Sequence, residues 1–299
     1  PLPKFLKQAV YKYQAGMMQY ASQPSHSVTE YFDLRLLKAS VDMQLLTSMS
    51  RHVRQYFRHP KLVKLLEFPV LFLGATPQKT PAMYSMMNHA DLVLGTWYPM
   101  GGMYQVVHAM TEIARELGVT FNLDTEVTGI NVQNGRATTI STNRGDLYAD
   151  MVIAGADYAY VDRHLLDKPY RNYTAAYWES RTLSPSCLIY YIGLNKKLDN
   201  IQHHNLFFDE DFDRHASDIY THPQWPEQPL FYVSCPSQTD DSVAPPGCEN
   251  LFFLMPIAPG LHDDDSTREK YFGLMLARFE KLTGQSIRRH IIVKRSYAV

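Results

Sequence analysis

The segment from Gly95 to Asp157 limits the possible folds more than any other. It reads GTWYPMGGMYQVVHAMTEIARELGVTFNLDTEVTGINVQNGRATTISTNRGDLYADMVIAGAD. Gly101 and Gly102 stand at a helix start. Val106, Val107, Met110, Ile113, Ala114 and Leu117 then recur at helical spacing on one stripe, and Gly118 supplies the stop, so a helix is predicted over 102–117. Val119 to Leu123 predicts a strand. Asn134 and Gly135 separate two runs, 126–132 and 136–142, and that dipeptide is the strongest short hairpin signal. Asn143-Arg144-Gly145 makes the next turn. The apolar run Met151 to Ala156 predicts a continuous, buried strand.

The flanks have different textures. Leu36, Leu37, Ser40, Val41, Gln44, Leu45, Ser48, Met49, Val53, Tyr56 and Phe57 keep helical spacing until His59-Pro60, since the residue before proline disfavours helix. A second short helix is predicted from Lys61. Beyond Asp157, strands are predicted at 187–193, 205–208, 230–235, 251–254 and 291–295. Ser266 to Glu269 reads as a capping box opening a helix over 270–282 that Gly284 ends. Strands and helices mix without regular βαβ alternation. The fold class expected is therefore α+β, a mixed or antiparallel sheet with covering helices plus a partial β-meander.

Composition narrows the function classes. Over 299 residues the net charge is −1, so the basic excess needed for nucleic acid is missing. A 45% hydrophobic share supports a real core. No apolar run approaches the roughly 18 residues of a membrane span. Cys187, Cys235 and Cys248 share no metal or disulfide spacing, and a reducing cytoplasm fits them better. No metal is expected. Asp209, Asp211 and Asp213 imitate a calcium loop, but Arg214 and Tyr220 occupy the places of its glycine and glutamate. His203 and His204, adjacent on a strand, are expected to face opposite sides.

A dinucleotide site needs G-x-G-x-x-G between strand and helix, and the chain has no such run. Gly101-Gly102 reads either as a plain tight turn or as a place where a flat ring approaches free backbone donors. Asp33 with Arg35 reads either as a surface ion pair of little worth or as a carboxylate that steadies a cation and takes a proton. Spacing alone does not choose between these pairs.

In sequence order, the signatures resemble the bacterial-type phytoene desaturases, flavin enzymes of the amine-oxidase-like superfamily. The resemblance rests on FLGATPQKTPAMYSMMNHAD from Phe72, GTWYPMGGMYQVVHAM from Gly95 and the end at Val152 to Tyr158. LIYYIGLNKKL from Leu188, HHNLFFDEDF from His203 and LFYVSCPSQTDDSVAPPGCENLFFLMPIAPG from Leu230 extend it. Both flavin signature ends are missing, so the chain reads as a piece of a larger enzyme.

The resemblance implies a helical part of a substrate domain over 1–95, a remnant of the FAD lobe over 96–165, and the sheet of the substrate domain over 166–299. It implies Gly101 and Gly102 near the isoalloxazine, Val127 at the adenine end, and Ala154, Gly155 and Ala156 along the phosphates. Asp33 with Arg35 is the implied acid/base. FAD is expected in the full-length protein and not in this piece alone. The implied substrate is an apolar polyene or isoprenoid, reached from the cytoplasmic face of the inner membrane by a peripheral protein. A polyene isomerase or saturase, or a non-catalytic lipid carrier, would use the same parts.

Overall fold

A computed structural model describes residues 1–20 and 40–298. Asp33 and Arg35 lie outside the described residues. Two compact units divide the chain: Pro1–Val106 with Ser184–Val299, and Val107–Leu183.

The larger unit is organised by one antiparallel sheet of five strands. They are β4 (Ser186–Leu194), β5 (His204–Phe207), β6 (Phe231–Ser234), β7 (Glu249–Ile257) and β8 (Ile291–Tyr297), in the order β5-β6-β7-β4-β8. Side chains alternate across a strand, so each strand serves two faces. On one face Leu188, Tyr190, Ile192 and Leu194 of β4 are buried beside Leu251, Phe253, Met255 and Ile257 of β7. The helix Asp265–Thr283 covers that face with Tyr271, Phe272, Met275, Leu276 and Phe279. Ring pairs close the core: Phe207 stacks on Phe231 at 4.6 Å, and Phe253 meets Phe279 at 5.4 Å. The helix begins earlier than expected. Its N-cap is Asp264, whose carboxylate accepts from the Thr267 amide at 2.7 Å, while the Ser266 hydroxyl donates to Asp264. A charged acceptor outcompetes the serine for the free amides of the first turn.

The helical part packs separately. Helix Leu2–Tyr13 buries Phe5 against Met49 and Val53 of helix Met49–Tyr56, and against Val63 and Leu66 of helix Pro60–Glu67. The long helix expected through Ser48 is broken. Gln44 takes φ +59°, and residues 43–47 form a turn before Ser48 caps the next helix through Arg51 N. What fixes Gln44 is Lys12, 1% exposed, whose ammonium donates to Gln44 Oε1 at 2.9 Å, Ala82 O at 2.9 Å and Ser85 Oγ at 3.0 Å. Burial pulls the Lys12 pKa down to about 8. His52, its Nε2 3.4 Å away, is lowered to about 4 by burial and then by the Lys12 charge.

The smaller unit holds a meander of β1 (Val127–Gln133), β2 (Arg136–Thr142) and β3 (Gly145–Tyr148). Asn134 (φ +52°) and Gly135 (φ +76°) both take the left-handed region, as a two-residue hairpin turn of this kind requires. Two expected strands are absent. Residues 119–123 and 151–156 form no strand, and Met151 and Ile153 are 77% and 87% exposed. An apolar run becomes a strand only with a ladder partner, and none pairs with these among the described residues. The predicted helix is present as Tyr104–Glu116, with no buried residue.

Candidate functional site

The second face of the five-stranded sheet is not covered by the Asp265–Thr283 helix. Register places Cys187 opposite Pro256, Tyr232 opposite both Leu206 and Leu254, and His204 opposite Ser234 on this face. Over it lies a cavity of about 610 Å³, within the usual range for ligand sites. Its helical walls are Leu65, Phe68 and Leu71 on one side, and Phe212, Ala216 and Ile219 of the Phe212–Tyr220 helix on the other. Most of the lining is aliphatic or aromatic.

The cover is fastened to main-chain oxygens. Lys64 Nζ donates to Phe208 O at 3.0 Å and Glu210 O at 2.6 Å, and the Tyr220 hydroxyl donates to Leu71 O at 2.6 Å. Burial pushes the Tyr220 phenol up to about 12, which keeps it a donor. His215, on the same wall, uses both ring nitrogens. Nδ1 accepts from the Leu230 amide at 2.9 Å, so Nε2 carries the proton and donates to Pro256 O at 2.9 Å. Burial lowers its pKa, so it stays neutral. Asp211, one of the calcium-like carboxylates, caps the Phe212–Tyr220 helix through Asp213 N and Arg214 N, and Asp209 pairs with Arg278. No group of three or more potential metal ligands gathers among the described residues.

The cavity lining also includes polar side chains. Thr96 donates to Asp91 at 3.2 Å, and both line it. His204 and Tyr232 also line it, joined by a short hydrogen bond between Nδ1 and the phenol. His203 does not turn to the opposite face as expected. It precedes the first strand residue, and its ring lies 4.3 Å from that of His204. From there His203 bonds Thr239 Oγ1 at 2.6 Å and meets the Tyr98 ring edge-on at 4.7 Å. Tyr98 hydrogen-bonds to Asp240, whose carboxylate also accepts from the Gly101 amide at 2.6 Å. Ser242 and then Gly101 hold the Asp240 pKa below its ordinary value.

Gly101 and Gly102 therefore stand at the far end of a line of rings that begins in the cavity. Their φ values, +90° and +96°, favour glycine. Their amides are not free donors, because Gly101 N serves Asp240 and Gly102 N donates to Pro99 O at 3.1 Å. Val127 opens β1 in the smaller unit. Ala154, Gly155 and Ala156 are exposed and outside any strand in that unit, and 151–156 make no backbone hydrogen bond among the described residues. A Cβ added at Gly155 would meet nothing within 4 Å. That open backbone suits a flat or phosphate-bearing group, although the G-x-G-x-x-G loop itself is not in the chain.

The family model described as flavin containing amine oxidoreductase matches residues 8–288. The chain belongs to that family. Among curated relatives of the chain, a carotenoid 3,4-desaturase of Haloarcula japonica is 39% identical over 99% of the chain and 60% of its own length. A 4,4'-diapolycopene oxygenase of Methylomonas sp. is 30% identical over 86% of the chain and 52% of its own length. The chain thus spans little more than half of the curated relatives it matches. A crystal structure of an oxidoreductase from Methanosarcina mazei superposes with a TM-score of 0.60 at 18% identity, covering 92% of this chain and 62% of that one. The α+β class with antiparallel sheets and covering helices holds.

Sequence reasoning missed the His204–Tyr232 pair and the role of Asp240. The signal for the first lies in alternation: Leu206 and His204 share one face of β5, as Tyr232 and Ser234 do on β6.

Proposed function

We propose that this chain forms the substrate side of an FAD-dependent desaturase acting on a carotenoid precursor. The observation that carries this reading is the apolar cavity on the second sheet face, linked by ring contacts to the turn at Gly101 and Gly102. An apolar chain gains about 0.8 kcal/mol per buried CH₂, so such walls suffice to hold a polyene without charged contacts. FAD, when bound, supplies the hydride acceptor that no side chain can replace.

The residues of this chain have distinct tasks in that reading. Leu65, Phe212, Ile219 and Leu254 bind the hydrocarbon and exclude water. Gly101 and Gly102 let the isoalloxazine approach, with Asp240 fixing the turn. Val127 and Ala154 to Ala156 serve the adenine and phosphate ends. Asp33 with Arg35 takes the proton left after hydride loss. A carboxylate in a dry site is basic enough to accept it, because burial raises its pKa.

The substrate dissolves in lipid, so the protein works at a membrane surface, which we place at the inner face of the cytoplasmic membrane. No helix among the described residues is long and apolar enough to cross a membrane. Leu2, Tyr11, Met17 and Met18 are exposed and offer the contact.

The test uses the full-length protein loaded with flavin. Added to membranes containing phytoene, it is expected to yield polyenes absorbing at longer wavelength; no new conjugated double bonds would sink the reading. Residues 1–299 alone are expected to retain no stoichiometric FAD after gel filtration.

A further inference from the structure

The two amides of the glycine turn are already spent inside the protein. Gly101 N donates to Asp240 Oδ2 at 2.6 Å, and Gly102 N donates to Pro99 O at 3.1 Å. A ring that meets this turn therefore receives no free N–H from either glycine, whichever side it takes.

Asp240 is what engages the first of them. Its carboxylate is 2% exposed and serves donors at both oxygens. Oδ2 takes the Gly101 amide, and Oδ1 takes the Ser242 amide at 3.0 Å and the Ser242 hydroxyl at 2.6 Å. The Tyr98 hydroxyl adds a further bond. Only a group that accepts on two sides fits here, since Asp240→Asn would set its NH₂ against one of those donors.

The loop that carries Asp240 is itself pinned to the sheet. Asn250 of β7 donates from Nδ2 to Val243 O at 3.1 Å and accepts at Oδ1 from the Ser237 amide at 3.1 Å. The bond between Gly101 and Asp240 thus ties the turn to a rigid element 139 positions away in sequence. Side chains crowd it as well. A Cβ at Gly101 would meet the Gln105 side chain at 2.9 Å, and one at Gly102 would lie 3.6 Å from Val243 Cγ1.

This arrangement has an electronic consequence. Reduction puts negative charge on a flavin, and donors aimed at that charge stabilise the reduced form. A turn whose amides are spent, backed by an anion, gives no such help.

We propose that Asp240 is a positioning residue for the flavin, acting through Gly101: it keeps the turn's amide engaged, so that the reduced cofactor gains no hydrogen bond from it. This assignment rests on the reading that the isoalloxazine meets this turn.

The experiment compares the full-length, flavin-loaded protein with Asp240→Ala and Asp240→Asn, reading the two-electron midpoint of the flavin against a reference dye. Freeing the Gly101 amide and removing the charge both favour the reduced form. Asp240→Ala should therefore shift the equilibrium towards it by about tenfold, about 30 mV, and should hold FAD more weakly. Asp240→Asn keeps one acceptor oxygen and should shift the midpoint less, in the same direction. Urea midpoints of the flavin-free proteins report that each variant is folded. An unshifted midpoint in Asp240→Ala overturns the assignment. So does a shift in Asp240→Asn as large as that in Asp240→Ala, which would mean that charge acts without positioning. If Asp240→Ala retains no FAD, Asp240→Asn decides: a higher midpoint with weaker FAD binding bears the assignment out, and anything less overturns it. These readouts need no substrate, so a failure to convert phytoene leaves them standing. Wild-type protein that binds no FAD defeats the underlying reading first.

Discussion

The five-stranded sheet and the unit Val107–Leu183 carry equally good sequence patterns, with opposite results. In β4 and β7, one face is buried under the Asp265–Thr283 helix, and Cys187, Leu254 and Pro256 of the other line the cavity. In the smaller unit, Ile113 and Leu117 of the amphipathic stripe are 58% and 79% exposed, and the apolar run at Met151 and Ile153 pairs with nothing described. Periodicity states which face wants burial; it does not guarantee that the burying surface is within the same 299 residues. The second region is written for a partner that the first already has.

The comparison breaks or sharpens under substitution. Phe279→Ala in the sheet core should cost about 3–5 kcal/mol, read as a lower urea midpoint. A loss below about 1 kcal/mol would show that the core is looser than its ring contacts state.

Next comes pH. Lys12 has pKa about 8 folded against 10.5 ordinarily, and His52 about 4 against 6.5. Between each pair of values the unfolded chain binds more protons, so stability should rise with pH across both windows. Lys12→Met should flatten the upper window and, by removing the charge beside His52, narrow the lower. Urea melts at the four pH values decide this, and an unchanged upper slope would refute the buried lysine.

Asp264→Ala should lower the urea midpoint more than Ser266→Ala does, since the carboxylate takes the amide bond. The smallest effect belongs to the smaller unit. Ile153→Ala should shift this chain by no more than about 0.5 kcal/mol, whereas in the full-length protein the same change should cost about 2 kcal/mol or more. Equal costs in both would mean that nothing covers Ile153.

Much of this was legible in the residues. The five strands of the larger sheet follow from β-rich runs between turn signals, and the hairpin at Asn134-Gly135 from local backbone chemistry. Errors arose wherever a distant group decides. Gln44 leaves the helical region because the Lys12 ammonium holds its side chain, from 32 positions away in sequence. Residues 151–156 lack a ladder, which no local pattern reports. His203 escapes the alternation rule because the strand begins one residue later. The bonded pair at the cavity joins His204 to Tyr232, 28 positions away in sequence.

Lys64 and Tyr220 have one more consequence. Both reach past neighbouring side chains and grip carbonyl oxygens, so the roof above the sheet is bolted rather than merely rested. Headroom is then a property of the frame. Raising that roof would cost hydrogen bonds as well as packing, about 1 kcal/mol for each bond.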